Sequence, residues 1–189
     1  PRPQLAQIIS LWHKLGGDDF LPIIRTAARP PRADPAALGL LAKVAPDEAR
    51  PLILEDLARA KPLYINPGEW RFAVKAIEAA IPDSELPQLD EAWRRKLRDK
   101  APDLFVVMPL IARYATTNLL ADVVAVYKGA EGRWACDIQN SALRYWIRCD
   151  PKEGVPALAA ALKARQQTGC YHSVLSEVLL QQWVDEALP

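Results

Sequence analysis

A short pattern of apolar and polar positions recurs along this chain, and most copies are built around a proline. The clearest copy covers residues 151–162, where Leu158 and Leu162 lie one helical turn apart behind Pro156. Related copies occupy 17–24, 46–53 and 82–89. Apolar side chains at this spacing form one buried face of an α-helix, and their recurrence predicts a repeat architecture.

Apolar stripes of helical spacing also precede these copies, so the predicted helices come in pairs. We expect helices over 3–15, 19–29, 35–45, 48–60, 67–81, 83–98, 104–114, 116–127, 134–149, 155–165 and 171–187. Capping side chains separate several of them, with Asp47 expected to cap one helix and Thr116 or Thr117 another. The run 104–114 could be a buried strand on its own, but the repeat phase favours a helix with Pro109 inside it.

The copies align on one reference position, and that alignment predicts which side chains face the core. The reference residues are Pro22, Pro51, Pro87, Ala121 and Pro156. The positions two and six residues later are predicted to point inward: Ile24/Ala28, Ile53/Leu57, Leu89/Trp93, Val123/Tyr127 and Leu158/Leu162. Units of roughly 35 residues with such faces bury them only against neighbouring units. The sequence therefore predicts an all-α fold, an α-α superhelix of about five helix pairs plus a terminal helix, as a single domain over 1–189.

The segment 135–162 resembles a HEAT repeat of the short type seen in phycobilisome-lyase-like HEAT proteins. The residues that carry the resemblance are those at 154–158 with Ala161 and Leu162, preceded by Ala142, Leu143 and Ile147. The likeness covers most of the chain. It departs from the family pattern at 61–67, where the loop is long, and in the fourth unit, where Ala121 replaces the reference proline. It implies a right-handed solenoid whose second helices line a concave side that holds partners.

The overall charge is balanced, because 24 basic residues stand against 23 acidic ones and the formal net charge is +1. That balance argues against a dedicated nucleic-acid binder. No apolar run reaches the roughly 20 residues that a bilayer span requires. The chain begins at Pro1 without a methionine, so we expect a fragment of a longer protein. The compartment is left open, with the cytoplasm favoured.

Candidate catalytic chemistry is sparse in this sequence. His13 and His172 are its two histidines, and neither has a nearby partner suited to proton transfer. Cys136, Cys149 and Cys170 show no paired spacing, so free buried thiols are expected. No metal-ligand cluster, phosphate-binding glycine loop or facing carboxylate pair is visible. We therefore predict no catalytic residue, no metal and no cofactor.

The most informative charged pattern lies seven residues after the reference position. Those positions hold Arg29, Ala58, Arg94, Lys128 and Lys163. With their neighbours, the predicted partner-binding residues are Arg59, Arg94, Arg95, Arg98, Lys128 and Lys163. In stacked repeats they would form a basic ladder able to bind an acidic peptide or a phosphate backbone. The alternative is that these cations lie in last helical turns and stabilise the helix dipole.

The predicted function is a non-catalytic binding or scaffold module that engages an acidic protein partner through the concave ridge of second helices. One alternative is a nucleic-acid-binding HEAT-like protein similar to alkylpurine glycosylases. It requires an exposed aromatic, for which Tyr64 and Trp134 are the best candidates because they lie in or beside loops. Another alternative is a lyase-like handler of a prosthetic group, which requires a solvent-exposed cysteine.

Overall fold

The computed structural model describes residues 20–29, 34–59, 77–78, 80–81, 85–132 and 134–163. Every regular element in these ranges is helical, which confirms the predicted all-α class. The helices predicted over 3–15 and 171–187, the loop 61–67, both histidines and Cys170 lie outside the described residues. The chain divides into two compact units, Pro1–Ser84 and Glu85–Pro189, and each is described by itself. The single domain over 1–189 stays a prediction.

The first unit holds three described helices that pack in chain order. They are α1 (Leu21–Ala27), α2 (Pro35–Val44) and α3 (Pro46–Leu57), with α1 against α2 and α2 against α3. Each contributes buried apolar side chains, among them Ile24, Leu38, Leu41, Ile53 and Leu57. Arg25 donates two hydrogen bonds to the carboxylate of Glu48, at 2.8 and 2.6 Å, and so joins α1 to α3.

Asp47 does not cap α3, contrary to the prediction. The helix begins at Pro46, two residues before the predicted start, and its N-cap is Ala45, which makes no side-chain capping hydrogen bond. Proline suits the first helical position because it has no N–H to leave unpaired. Asp47 lies in the first turn, where its charge stabilises the helix dipole and its carboxylate lies 3.3 Å from Arg50.

The second unit is built around one central helix. Its described elements are α4 (Asp90–Arg98), α5 (Leu104–Tyr114), α6 (Leu120–Gly129), α7 (Ala135–Cys149) and α8 (Pro151–Lys163), with 3₁₀ turns at Pro87–Leu89 and Thr117–Leu119. The central helix α7 packs against α5, α6 and α8, while α4 packs against α5 and α6. Within this unit, the described helices of each predicted pair therefore contact helices of the next pair in sequence, as expected for a repeat protein.

The inward positions predicted from the repeat phase are buried. Eight of the ten are fully buried, namely Ile24, Ala28, Ile53, Leu57, Leu89, Trp93, Val123 and Leu158. The other two, Tyr127 and Leu162, are half-buried and pack against the cluster of Leu143, Ile147 and Leu158. The predicted phase is therefore confirmed for all five units.

The reference proline does not set this phase, because it occupies different places in its helices. Pro22 lies at the start of α1, and Pro87 opens a 3₁₀ turn. Pro51 and Pro156 lie inside α3 and α8 instead. The apolar side chains that follow the proline, rather than the proline itself, fix which face of each helix turns inward.

The last described helix begins earlier than predicted. We expected α8 to start at Val155, but it starts at Pro151. The carboxylate of Asp150 accepts a hydrogen bond from the Glu153 N–H at 3.4 Å and so caps the helix. Proline at the first helical position completes a favourable start, so the Asp-Pro pair begins a helix as well as ending one.

The run 104–114 is a helix, as the repeat phase predicted. Helix α5 continues through Pro109 and buries side chains on all its sides, including Phe105, Met108, Leu110 and Tyr114. A helix that is apolar all round belongs to the interior of a protein, which explains why its sequence lacks the polar face of its neighbours.

A buried polar junction joins α4, α5 and α7. It consists of Asp90, Thr116, Tyr145 and Arg148. Thr116, one of the two predicted capping residues, caps the 3₁₀ turn that leads into α6 rather than α6 itself. Asp90 accepts hydrogen bonds from the Thr116 N–H at 3.2 Å and from its hydroxyl at 2.5 Å. The Tyr145 hydroxyl donates to the Thr116 carbonyl, and Arg148 Nε donates to the Ala112 carbonyl at 3.0 Å. Side chains of α4 and α7 thus satisfy peptide groups where α5 ends.

Candidate functional site

The predicted partner-binding cations are divided between the two units. Arg59 follows α3 in the first unit, where its guanidinium lies 2.8 Å from the carboxylate of Glu55. The other five lie in the second unit, at Arg94, Arg95 and Arg98 on α4, Lys128 on α6 and Lys163 on α8. The second unit therefore carries most of the predicted ladder.

Two of these cations share one acid on the neighbouring second helix. Arg98 Nε donates to Oδ1 of Asp122 at 2.9 Å, and Arg94 Nε lies 3.4 Å from Oδ2 of the same carboxylate. Arg94 also binds Glu91 at 2.8 Å and the carbonyl of Asn118 at 3.3 Å. Arg94 therefore joins α4 to α6, and little of its hydrogen-bonding capacity is left for a partner.

Arg98 remains open to solvent although it pairs with Asp122. Its side chain is 65% exposed, whereas that of Asp122 is 18% exposed. The hydrogen bond to Asp122 raises the pKa of Arg98 above its ordinary value. The pairing uses Nε, so the terminal nitrogens of the guanidinium keep donors for a further acceptor.

Three other predicted cations are exposed at the ends of second helices. Arg95, Lys128 and Lys163 form no ion pair within the described residues. The residues before the two lysines, Tyr127 and Leu162, pack on one apolar cluster with α7, which brings the ends of α6 and α8 against the same helix. All three also lie in the last turn of a helix. The alternative interpretation, that these cations stabilise the helix dipole, therefore applies to the same three residues.

A cleft of about 490 Å³ opens beside Arg98 within the second unit. The end of α4, the start of α5, one face of α6 and the start of α7 form its walls. Most of its lining is apolar: Leu97, Ala101, Pro102, Leu104, Phe105, Ala125, Val126, Ala130, Trp134 and Ile138. The rings of Phe105 and Trp134 stack at 4.3 Å with an angle of 8° between their planes. A cleft of this size and lining can accept an apolar group of a ligand.

Charged side chains line the same cleft. Arg98 and Asp122, already paired, come from α4 and α6, and the exposed Lys100 and Glu131 come from the loops that follow these helices. The sequence indicated Trp134 as a candidate for exposure, and the structure places it half-buried in the cleft. The cleft itself was not predicted, since four separate elements have to meet to form it.

The prediction of free thiols is wrong for Cys136, which is disulfide-bonded. Spacing along the chain gave no sign of this bond, because pairing depends on where the cysteines meet in space. Cys149 is a free, half-buried thiol. Burial raises the pKa of Cys149, which disfavours the reactive thiolate that the lyase-like alternative would need.

Alkaline pH is expected to destabilise the second unit through Tyr145 and Cys149. Burial raises the pKa of both groups above their ordinary values of 10.0 and 9.0. The unfolded chain then loses these protons first, so their contribution to stability is complete below about pH 9 and falls as the pH rises. The fall approaches roughly 1.4 kcal/mol per pH unit for each group.

The check is the free energy of unfolding measured from pH 8 to pH 11 for the wild type and Tyr145→Phe. The variant should lose stability less steeply above about pH 10, since it lacks the hydroxyl proton. Equal slopes for the two proteins would contradict the expectation.

The described residues of both units contain neither a metal-binding cluster nor a membrane-spanning helix. No group of three or more histidine, cysteine or acidic side chains there could hold a metal ion. Among the helices that the structure describes, none has the length and apolarity needed to traverse a bilayer. Comparison with family models, curated proteins and solved structures gives no significant match.

Proposed function

We propose that the protein is a non-catalytic binding module of HEAT-like helix pairs that engages a protein partner through the exposed ends of its second helices. The observation that carries this proposal is the shared register of α4, α6 and α8. Two residues after the reference, Leu89, Val123 and Leu158 are buried. The position five residues further on holds a cation in every one of these three helices.

The cations available to a partner are fewer than the sequence predicted. Arg95, Lys128 and Lys163 are exposed and form no ion pair with any described residue, and Arg98 retains exposed donors beside Asp122. We assign partner binding in the second unit to these four residues and a structural role to Arg94. Exposed cations of this kind favour association with an acidic partner and set its salt dependence.

The test uses a fluorescein-labelled, glutamate-rich peptide as the acidic partner, with affinity measured by fluorescence anisotropy at low ionic strength. The double variant Arg95→Glu/Lys128→Glu should raise Kd about tenfold, or roughly 1.4 kcal/mol. The matched control is Lys43→Glu/Lys152→Glu, which changes net charge equally at exposed positions on α2 and in the first turn of α8.

The control distinguishes a binding surface from general charge attraction. Equal losses in the two double variants, or no binding by the wild type, would overturn the proposal. A short DNA duplex is titrated in parallel. Tighter binding of DNA than of the peptide, weakening steeply with salt, would favour the nucleic-acid alternative instead.

A further inference from the structure

We infer that the cleft beside Trp134 is an anchor pocket for a linear peptide segment that carries a bulky apolar side chain next to an acidic residue. This inference rests on the proposed function, because it names the partner chemistry for the same end of α4 and α6. The apolar side chain would enter the cleft, and the neighbouring carboxylate would meet the cations at its mouth.

The lining of the cleft favours an apolar occupant. Its volume of about 490 Å³ is enclosed largely by aliphatic and aromatic side chains, with the stacked rings of Phe105 and Trp134 among them. Apolar surface in an open cleft is hydrated, and covering it stabilises a complex by roughly 25 cal/mol per Å² buried. A bulky side chain covers this surface better than the flexible stem of a glutamate.

The charges at the mouth favour a carboxylate beside that side chain. Both oxygens of Asp122 already face a guanidinium, from Arg98 and from Arg94, and its side chain is only 18% exposed, so this acid does little to repel a carboxylate at the mouth. Lys100 adds a third cation, and Glu131 is the second acid in the lining. The two cations and two acids of the lining are equal in number, but Asp122 is already engaged, whereas Arg98 and Lys100 offer exposed donors to a carboxylate.

Gly129 provides a way to close the cleft without disturbing its walls. It lies in the lining at the end of α6, and a Cβ added there would meet no atom within 4 Å. We expect Gly129→Phe to fold and to fill the cleft with its ring. The matched control is Ala121→Phe, which adds a ring at an exposed position of the same helix outside the lining.

The probes are two fluorescein-labelled peptides of about ten residues, both rich in glutamate. One has a central phenylalanine and the other has alanine in its place. The wild type should bind the phenylalanine peptide roughly tenfold more tightly than the alanine peptide, as expected for burial of one aromatic side chain. Gly129→Phe should bind both peptides equally and weakly, whereas Ala121→Phe should keep the wild-type preference.

A second variant removes a cation and leaves the cleft open. The φ angle of Lys100 is 48°, a region that glycine adopts readily, so Lys100→Gly should preserve the fold. It should weaken binding of both peptides severalfold and keep the preference for phenylalanine. If Gly129→Phe does not fold by circular dichroism, Ala125→Leu serves in its place, since Ala125 is an exposed residue of the lining.

The outcomes separate this inference from the proposed function. If the wild type binds both acidic peptides equally, or if Gly129→Phe and Ala125→Leu keep the preference, the anchor pocket is overturned while partner binding by the cations stands. If neither peptide binds, the proposed function fails and the inference fails with it.

Discussion

Replacing Asp90 with alanine is expected to lower the free energy of unfolding by about 3 kcal/mol. Asp90 is only 6% exposed, and its two oxygens accept hydrogen bonds from the N–H and the hydroxyl of Thr116. Alanine would leave both donors without that acceptor in a buried place, where an unpaired polar group costs roughly 1–3 kcal/mol. Loss of the carboxylate would also separate α4 from the end of α5.

Urea denaturation followed by circular dichroism measures this change. The matched control is Asp99→Ala, which removes an exposed carboxylate at the other end of α4 and should change stability by less than about 0.5 kcal/mol. A double-mutant cycle with Thr116→Val tests the mechanism, since two residues in one hydrogen-bonded pair should show losses that do not add. Additive losses, or a loss below about 1 kcal/mol for Asp90→Ala, would contradict the expected role.

The face of each second helix could be predicted because helical periodicity needs no knowledge of neighbours. Along the 3₁₀ turn and α4, Leu89, Trp93 and Leu97 recur at four-residue spacing, and all three are buried. The same reasoning separated helix from strand in α5, where the local run alone was ambiguous. The superhelix and the HEAT resemblance stay predictions, because local periodicity does not specify how successive pairs are stacked.

Partners from distant parts of the chain could not be predicted in this way. Asp122 lies 24 residues after Arg98, on the next second helix, so the pattern located the cation but not the acid that neutralises it. The polar junction also joins residues that are distant in sequence, since the Tyr145 hydroxyl bonds to the Thr116 carbonyl 29 residues away. The cleft depends on four elements at once. A repeat phase thus predicts the inner face well and the chemistry of the outer face poorly.

Close packing of α8 on α7 explains the glycine in the most regular copy of the repeat. Gly154 is buried, and a Cβ built there would lie 2.7 Å from the backbone nitrogen of Ile147 and 2.9 Å from the carbonyl carbon of Trp146. These are backbone atoms of α7, so they cannot move aside as the end of a flexible side chain would. Ala49 holds the equivalent position in α3 and is fully buried, so a small side chain fits that slot in the first unit.

We therefore expect Gly154→Ala to destabilise the protein by roughly 1–3 kcal/mol, although alanine is the better helix former by about 1 kcal/mol. The enforced separation of α8 from α7 outweighs that gain, because it loosens Leu158 from the cluster with Leu143 and Ile147. Gly129→Ala is the matched control. A methyl group added at Gly129 would meet no atom within 4 Å, so this substitution should leave stability unchanged or raise it. Urea denaturation of both variants measures the difference. If Gly154→Ala proved as stable as Gly129→Ala, backbone contact would not be the reason for glycine at this position.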